Sequence, residues 1–359
     1  MNKKTFITAI MLFVCVLFIL SGCMYSRKIT VEQPDEKNAA LDIIKNDTKY
    51  INTSADLIKY IGFDYRNRLI SLNKGAEITY IAASKLSDTS LRKLLLRIDN
   101  ISDASVVNHG KNIVFRTTTQ KRICLYNYDV ESGILRVLYN YPKVNVKSGF
   151  SASVSFTSVC DLIYSDGKYS VEKYNVLTNE KEVFEITENS GLRNAVDYIV
   201  SGCKIESVYM REDNRAFVKA ENAFGSYILS ALANDKPEDI YVIESATHLP
   251  QFSGGLMYYI NKQNSLMALN FDSDSETLIS SNVKDFQISD EGSVLSYIYT
   301  EGNSDKLYIS RGVDSSEELL DIRTGIKDLL LSLDGKNLVI SYASSKSSSE
   351  LEYLLYSFS

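Results

Sequence analysis

The chain has 359 residues, of which 39 are basic and 45 are acidic, so its formal net charge at pH 7 is -6. Nucleic-acid binding depends on Lys and Arg side chains that neutralise phosphates, so we predict no nucleic-acid partner. The five cysteines include no Cys-x-x-Cys pair, which argues against a disulfide scaffold. The 24 tyrosines suit half-buried strands and favour a β-rich chain.

The first twenty residues have the layout of a secretory signal. Lys3 and Lys4 form a short basic start, and Phe6 to Leu20 is an apolar run without a charged residue. A run of this length is too short for a membrane-spanning helix. We therefore predict that this segment directs the chain out of the cytoplasm and is then removed.

The apolar run ends in Leu20-Ser21-Gly22-Cys23. This tetrapeptide resembles the lipobox of bacterial lipoproteins, in which the cysteine sulfur is lipidated and the peptide is cut just before the cysteine. The resemblance implies cleavage between Gly22 and Cys23. It also implies a lipid on Cys23 that holds the protein at the extracytoplasmic face of the cell membrane. One acyl chain is only a marginal anchor, so the two or three chains of a lipoprotein cysteine matter.

Residues 1–22 are thus the predicted signal peptide, and residues 23–54 are the lipidated N-terminus with a tether. The tether is polar, with Pro34-Asp35-Glu36-Lys37-Asn38 at its centre. Ala39 to Lys45 is predicted as a short helix, because Leu41 and Ile44 lie three residues apart.

From about residue 55 onward, short strands with alternating apolar and polar residues are separated by turns, and a similar sequence motif recurs about every 40 residues. His109-Gly110-Lys111-Asn112-Ile113-Val114-Phe115 matches Asp334-Gly335-Lys336-Asn337-Leu338-Val339-Ile340 at four of seven positions. The glycine supplies the positive φ of a tight hairpin. A second motif joins two strands around a polar turn, as in residues 125–138. The two motifs together predict a four-stranded antiparallel meander, which is one blade of a β-propeller.

The recurring motifs divide the chain into seven units, at about 55–100, 101–146, 147–190, 191–247, 248–283, 284–325 and 326–359. We therefore predict an all-β fold, with a seven-bladed β-propeller over residues 55–359. A six-bladed division with a separate N-terminal module is the alternative. The last unit is one strand short. Lys28 to Glu32 or Lys49 to Asn52 would supply that strand, because closure by an N-terminal strand removes free sheet edges.

The end of the first unit has two interpretations. Leu91, Leu94, Leu95 and Ile98 follow helical spacing behind Ser87-Asp88, which would cap a helix. The same residues occupy the place of the outer strand of the first blade. The sequence leaves both interpretations open.

Two of the turn motifs resemble those of a known group of propeller repeats. Ser332-Leu333-Asp334-Gly335 and the looser Ser289-Asp290-Glu291-Gly292 resemble the Ser-x-Asp-Gly opening of TolB-like and WD40-like propeller repeats of secreted bacterial proteins. The Trp-Asp ending of WD40 repeats is absent from the sequence. The resemblance implies a propeller fold, and a fold does not by itself confer a function.

The chain has two histidines, which limits the chemistry available to it. His109 lies in a repeat turn of the second unit, and His248 lies in a connection between two later units. The two histidines are thus in units that are not neighbours. This separation argues against a His-based triad or zinc site, and no Gly-x-Ser-x-Gly motif occurs. We predict no catalytic residue, no metal site and no cofactor.

The less repetitive connections are the candidate binding loops, because a rigid ring presents loops whose sequences vary freely. They flank Ser190-Gly191-Leu192-Arg193 and Thr247-His248-Leu249-Pro250. Arg193 and His248 are the candidate ligand residues there. Tyr258 and Tyr259 are a candidate aromatic platform, although the sequence favours packing between blades as their role.

These observations favour a non-enzymatic, lipid-anchored binding or scaffold protein of the cell envelope. Its membrane contact would be the lipid on Cys23, and its ligand a protein or another envelope component. One alternative is a glycan-active enzyme with carboxylates in the propeller channel. Another is an accessory or sensor subunit of a membrane complex.

Overall fold

The computed structural model describes most of the chain beyond the N-terminal segment. The described residues are 31–32, 45–51, 53, 55–76, 78–150, 153, 156–187, 192–193, 204–211, 214–223, 225–232, 241–245, 249–270, 273, 275–290, 294–312, 317–344 and 351–358. The signal segment, Gly22, Cys23 and His248 lie outside these ranges. So do residues 39–44 of the predicted short helix, while Lys45 begins a strand.

Seven sheets follow one another along the chain, and each is one blade. Two strands precede the blades: β1 (Val31–Glu32) and β2 (Lys45–Ile51). Blade 1 contains β3 (Leu57–Phe63), β4 (Leu69–Lys74), β5 (Thr79–Lys85) and β6 (Asp88–Arg97). Blade 2 contains β7 (Ile101–Val107), β8 (Asn112–Thr118), β9 (Arg122–Asp129) and β10 (Leu135–Pro142). A 3₁₀ turn, Lys143–Asn145, follows.

The next two blades lie on either side of a long connection. Blade 3 contains β11 (Ser158–Ser165), β12 (Lys168–Asn175) and β13 (Lys181–Glu185). Blade 4 contains β14 (Lys204–Met210), β15 (Arg215–Asn222), β16 (Gly225–Leu232) and β17 (Tyr241–Ser245).

The last three blades complete the ring. Blade 5 contains β18 (Gln251–Ser253), β19 (Leu256–Ile260), β20 (Leu266–Asn270) and β21 (Ser275–Ser280). Blade 6 contains β22 (Val283–Ile288), β23 (Leu295–Glu301), β24 (Ser304–Ser310) and β25 (Glu317–Arg323). Blade 7 contains β26 (Ile326–Leu331), β27 (Asn337–Ala343) and β28 (Leu351–Phe358). The all-β, seven-bladed prediction is confirmed. Within the described ranges, no helix is long and apolar enough to cross a membrane.

An N-terminal strand completes the last blade. β2 pairs antiparallel with β28, so that blade 7 has the order β2-β28-β27-β26. Of the two segments predicted for this role, Lys49 to Asn52 overlaps β2. The other supplies β1, which instead pairs in parallel with β21 at the outer edge of blade 5. Because β2 precedes blade 1 directly, its pairing with β28 joins the two ends of the ring.

The core lies between the blades. Ile51 of β2 packs with Tyr60 and Phe63 of blade 1 and with Val339 and Leu355 of blade 7. Similar apolar clusters occupy the interfaces of blades 1–2, 2–3, 3–4, 4–5, 5–6 and 6–7. Each face of a blade is therefore a core face, which explains the nearly continuous apolar runs of the middle strands.

Ile51→Ala should lower the free energy of unfolding by about 2 kcal/mol, because it leaves a cavity where the ring closes. Ile51 is 6% exposed, whereas its neighbour Tyr50 in the same strand is 64% exposed. Tyr50→Ala is therefore the matched control and should change stability by less than about 0.5 kcal/mol. Urea unfolding of both variants measures the difference. Equal losses would show that β2 does not bury its inner face.

Blade 3 departs from the regular pattern at the channel. Residues 146–149 lie where an innermost strand would run: Val146 bridges to Ile163 of β11, and Gly149 bridges to Ser207 of β14. The Gly149 amide donates to the Glu206 carbonyl oxygen over 2.8 Å. A Cβ on Gly149 would lie 2.8 Å from the same oxygen, so only glycine permits this approach.

Candidate binding site in the central channel

The strands nearest the ring axis enclose a cavity of about 420 Å³. This volume lies in the usual range of small-molecule sites. Its lining comes from every blade of the ring, at residues 61–63, 105–106, 153, 209, 249–252, 285–290, 330–331 and 333. The cavity is therefore a property of the closed ring rather than of one blade.

The free edges of the innermost strands are partly occupied by the chain itself. Gln251 of β18 donates from Nε2 to the Phe286 carbonyl oxygen (2.9 Å) and accepts from the Ile288 amide through Oε1 (3.3 Å). The Gln251 side-chain amide thus makes two hydrogen bonds to the backbone of β22 that a neighbouring strand would otherwise make. On the far side, the Lys147 amide donates to the Leu162 carbonyl oxygen of β11. These contacts satisfy buried backbone groups that would otherwise need water or a ligand.

One end of the channel is formed by the turns after β3, β7, β22 and β26, and we call it the turn end. Serine builds two of these turns in the same way. Ser289 Oγ accepts the Val294 amide (2.9 Å), and Ser332 Oγ accepts the Asn337 amide (2.8 Å). The matching bonds place Asp290 and Leu333 at equivalent positions, and both residues line the cavity.

The turns also contact one another around the ring. Hydrogen bonds connect blades 5, 6, 7, 1, 2 and 3 in that order. They run from Ser253 Oγ to the Asp290 carbonyl oxygen, from the Asp290 amide to Leu333 O, from Asn67 Nδ2 to Asp334 Oδ2, from the Tyr65 amide to Gly110 O, and from the Asn108 amide to Phe156 O. The turn end is consequently a fixed part of the ring.

Asp290 is the acid of the turn end that lines the cavity. Its side chain is 9% exposed, and its Oδ2 accepts a hydrogen bond or ion pair from Nδ1 of His109, which is 54% exposed. Blades 2 and 6 are not neighbours, so this contact crosses the channel end. Oδ1 of Asp290 is buried and has no hydrogen-bond partner within the part of the chain that the structure describes.

The opposite end carries charged side chains from four consecutive blades, and these residues were not among the sequence-based predictions. A β-bulge in the innermost strands of four blades precedes Lys59, Asp103, Asp285 and Asp328. We call this the bulge end. Lys59 Nζ lies 3.1 Å from Asp103 Oδ1. The sequence signal was present, because an apolar-x-Asp tripeptide begins the strand in three of the four blades.

Asp285 lines the cavity from the bulge end. Burial raises the pKa of its carboxyl to about 7; the Phe286 amide opposes this shift, the neighbouring Asp328 adds to it and Lys284 opposes it. The Phe286 amide donates to Asp285 Oδ1 over 2.8 Å. Asp285 therefore titrates near neutral pH. Asp285 and Asp290 are the charged side chains among the described residues that line the cavity.

Because the pKa of Asp285 is raised in the folded protein, the free energy of unfolding falls as the pH rises. The folded protein holds this proton up to about pH 7, whereas the unfolded chain releases it near the ordinary value of 3.8. Folded molecules thus bind more protons in this window, and the free energy of unfolding decreases as pH rises through it. Asp285→Asn should remove about 2 kcal/mol of this decrease between pH 5 and pH 8. Urea unfolding at both pH values checks it; parallel curves for the two proteins would contradict the assignment.

The structure places the two candidate tyrosines in the packing between blades, the favoured one of their two interpretations. Tyr258 and Tyr259 lie in β19, where they are 2% and 3% exposed. Tyr258 packs against blade 6 and Tyr259 against blade 4. Successive residues of a strand point to opposite faces, and both faces of blade 5 are covered by neighbouring blades. They serve inter-blade packing and do not form a ligand platform.

The two candidate loops have different positions. Leu249 and Pro250 line the cavity, which brings one loop to the channel, while His248 of that loop is outside the described residues. Arg193 follows Leu192, which is buried between blades 3 and 4, and Arg193 is not among the residues that line the cavity. Cys160 is buried, which raises the pKa of its thiol to about 12, and Cys124 is partly buried.

No family model and no curated protein matches the chain. Solved structures match it over most of its length. An oligogalacturonate lyase from Vibrio parahaemolyticus is 9% identical, covering 88% of this chain and 98% of its own, with a TM-score of 0.54. A Listeria monocytogenes EGD-e protein is 9% identical over 90% and 97%, with a TM-score of 0.56. The propeller domain of the Trilobed protease from Pyrococcus furiosus is 14% identical over 80% and 90%, with a TM-score of 0.51.

These likenesses confirm the β-propeller fold at the level of architecture. The Pyrococcus domain has an open velcro topology, whereas β2 of this chain pairs into the last blade. Another oligogalacturonate lyase is known in complex with manganese. In this chain, the residues that the structure describes include no group of three or more His, Cys, Asp or Glu side chains that could hold a metal ion.

Proposed function

We propose that this protein is a lipid-anchored, extracytoplasmic β-propeller that binds a ligand or partner of the cell envelope at its central channel. The observation that carries the binding role is the cavity of about 420 Å³ inside a closed ring. Leu249 and Pro250, from one of the least repetitive connections, form part of its wall. A rigid ring with a variable loop at its cavity suits recognition.

The proposed location is supported by the sequence before the ring. Leu20-Ser21-Gly22-Cys23 ends the apolar signal, and the polar tether that follows runs to Val31, the first residue of β1, which pairs with blade 5. Seven residues separate Cys23 from β1, and an extended chain of that length spans about 25 Å. The proposed lipid and the ring would therefore lie within about 25 Å of each other, which suits a protein held at a membrane surface.

Fractionation of cells that produce Cys23→Ala tests the anchor. The wild-type protein is expected in the membrane fraction and to leave it only with detergent. The variant is expected to remain as the uncut precursor or to appear in the medium. Cys15→Ala is the matched control, because Cys15 lies in the apolar run of the same signal. Membrane retention of Cys23→Ala with an ordinary mature N-terminus would refute the anchor.

The binding role has a separate test. Detergent extracts are cross-linked, and partners of the wild-type protein are compared with those of Leu249→Asp, which adds a charge at the cavity wall. Reproducible capture that the variant loses is the expected result. Turnover of a glycan or peptidoglycan panel by the purified protein, lost on mutation of channel carboxylates, would replace this proposal with an enzymatic one.

A further inference from the structure

We propose that the channel cavity binds a compact organic ammonium group, held by Oδ1 of Asp290 at the turn end. The ligand class is a primary amine with a short hydrocarbon body. This inference names the ligand of the binding role proposed above, on which it rests.

The ionisable side chains that line the cavity are acids. The described lining contains Asp290 and Asp285, of which Asp285 carries a proton up to about pH 7, and it contains no Lys, Arg or His. The equivalent position in blade 7 is occupied by Leu333, so the repeat itself does not require an acid at Asp290. Blade 6 therefore has an acid at a cavity-lining position where blade 7 has an apolar residue.

Asp290 is held ready for a donor that the described chain does not supply. Its backbone is fixed on both sides, by Ser253 Oγ at 2.7 Å and by Leu333 O at 3.2 Å. Oδ2 is taken by His109, whereas Oδ1 is buried without a partner. A buried carboxylate oxygen that lacks a donor is unfavourable, and a ligand N–H at that atom would remove the penalty.

The number of free oxygens indicates which cation fits. Arginine-like groups prefer two parallel hydrogen bonds to a carboxylate, and here His109 already occupies one oxygen. Calcium takes six to eight oxygen ligands, and the described residues offer no cluster of that kind. A primary ammonium has three N–H donors that rotate freely, so it can direct one of them to a single carboxylate oxygen. The side chains of Val106, Phe252 and Leu330 in the lining suit a short hydrocarbon body.

Titration calorimetry on the full mature protein in detergent tests the proposal. The probe is 1,4-diaminobutane, with tetramethylammonium as a cation of equal charge per nitrogen that has no N–H donor. We expect one molecule of the diamine to bind per chain and tetramethylammonium to bind at least about tenfold more weakly. Equal affinity for the two cations would overturn the proposal, as would binding of calcium or manganese in place of the diamine.

Asp290→Asn should weaken diamine binding about tenfold or more, because a neutral amide forms the weaker hydrogen bond. Glu131→Gln is the matched control: Glu131 is an exposed turn acid of blade 2 and does not line the cavity. Its affinity should stay within about threefold of the wild type, and melting curves show that both variants fold. Unchanged affinity in Asp290→Asn would refute the assigned residue.

The two proposals fail in distinguishable ways. If no amine binds while the membrane anchor and partner capture persist, the ligand class is wrong and the binding role stands. If Leu249→Asp leaves partner capture unchanged and the diamine also fails to bind, the channel is not the binding site.

Discussion

Replacing Arg116 with methionine is expected to lower the free energy of unfolding by about 3–5 kcal/mol, because the change leaves a buried carboxylate without its counter-charge. Arg116 Nη2 lies 2.6 Å from Asp161 Oδ1, and Asp161 is 0% exposed between blades 2 and 3. Tyr139 donates to the other carboxylate oxygen over 2.6 Å, and Arg116 Nη1 donates to the Ser148 carbonyl oxygen over 3.1 Å. One network therefore joins two blades.

Lys168→Met is the control for this prediction. Lys168 pairs with Glu185 at 3.1 Å, but the two side chains are 68% and 57% exposed. Exposed ion pairs contribute little, so the loss should stay below about 1 kcal/mol. Urea unfolding of both variants gives the comparison. A loss for Arg116→Met as small as that for Lys168→Met would mean that Asp161 finds solvent or another partner when Arg116 is removed.

Gly110→Ala is expected to cost about 3 kcal/mol or more, through strain and through a steric clash. Gly110 has φ +77°, and a Cβ there would lie 2.4 Å from the Tyr65 amide nitrogen and 2.7 Å from the Asp64 carbonyl carbon. Both are backbone atoms of blade 1, so neither can move without shifting the neighbouring turn. The Tyr65 amide also donates to Gly110 O, a bond that a displaced turn would lose.

Gly302→Ala separates the two causes. Gly302 has φ +61° and nothing within 4 Å of an added Cβ, so it carries the strain without the clash. Its loss should be about 1 kcal/mol. Thermal and urea unfolding of the pair measure both. Equal losses in the two variants would show that the blade 1 turn can yield, and that the turn end is not a fixed part of the ring.

The blade pattern was predictable from sequence because its strongest signals are local. A glycine in a fixed place sets the hairpin, as at Gly110 and Gly335, which have φ +77° and +69°. Alternation between turns then sets the strands. In blades 1 and 4 the matching turn has an asparagine with positive φ, Asn67 and Asn214, in place of the glycine. The turns and strands were therefore regular enough for the seven units and the short last blade to be counted without knowledge of tertiary contacts.

The helix-like segment of blade 1 is a strand, β6, and the reason lies in the sheet. The register between β5 and β6 shifts from Leu96 opposite Ile81 to Leu94 opposite Ala82. That β-bulge adds a residue and breaks the two-residue alternation. Leu91 and Leu94 are 71% and 47% exposed on the outer strand. A bulge with outward leucines imitates helical spacing, and the sequence alone does not distinguish the two.

The site was harder to predict because it depends on blades far apart in sequence. Tyr258 and Tyr259 lie in an apolar run, and only the blades on both sides of β19 show that they are buried. Asp290 belongs to a degenerate turn motif that is visible in the sequence. Its place at the cavity becomes clear only beside the equivalent Leu333, 43 residues later, and its contact with His109 spans 181 residues. No local pattern contains such information.

Intact-mass analysis of the mature N-terminal peptide is the most direct test of the proposed lipid anchor, on which both the proposed location and the proposed partners depend. We predict a peptide that begins at Cys23 and carries the added mass of thioether-linked lipid, abolished in Cys23→Ala. A mature chain with Cys23 unmodified, or one that begins elsewhere than Cys23, would contradict it.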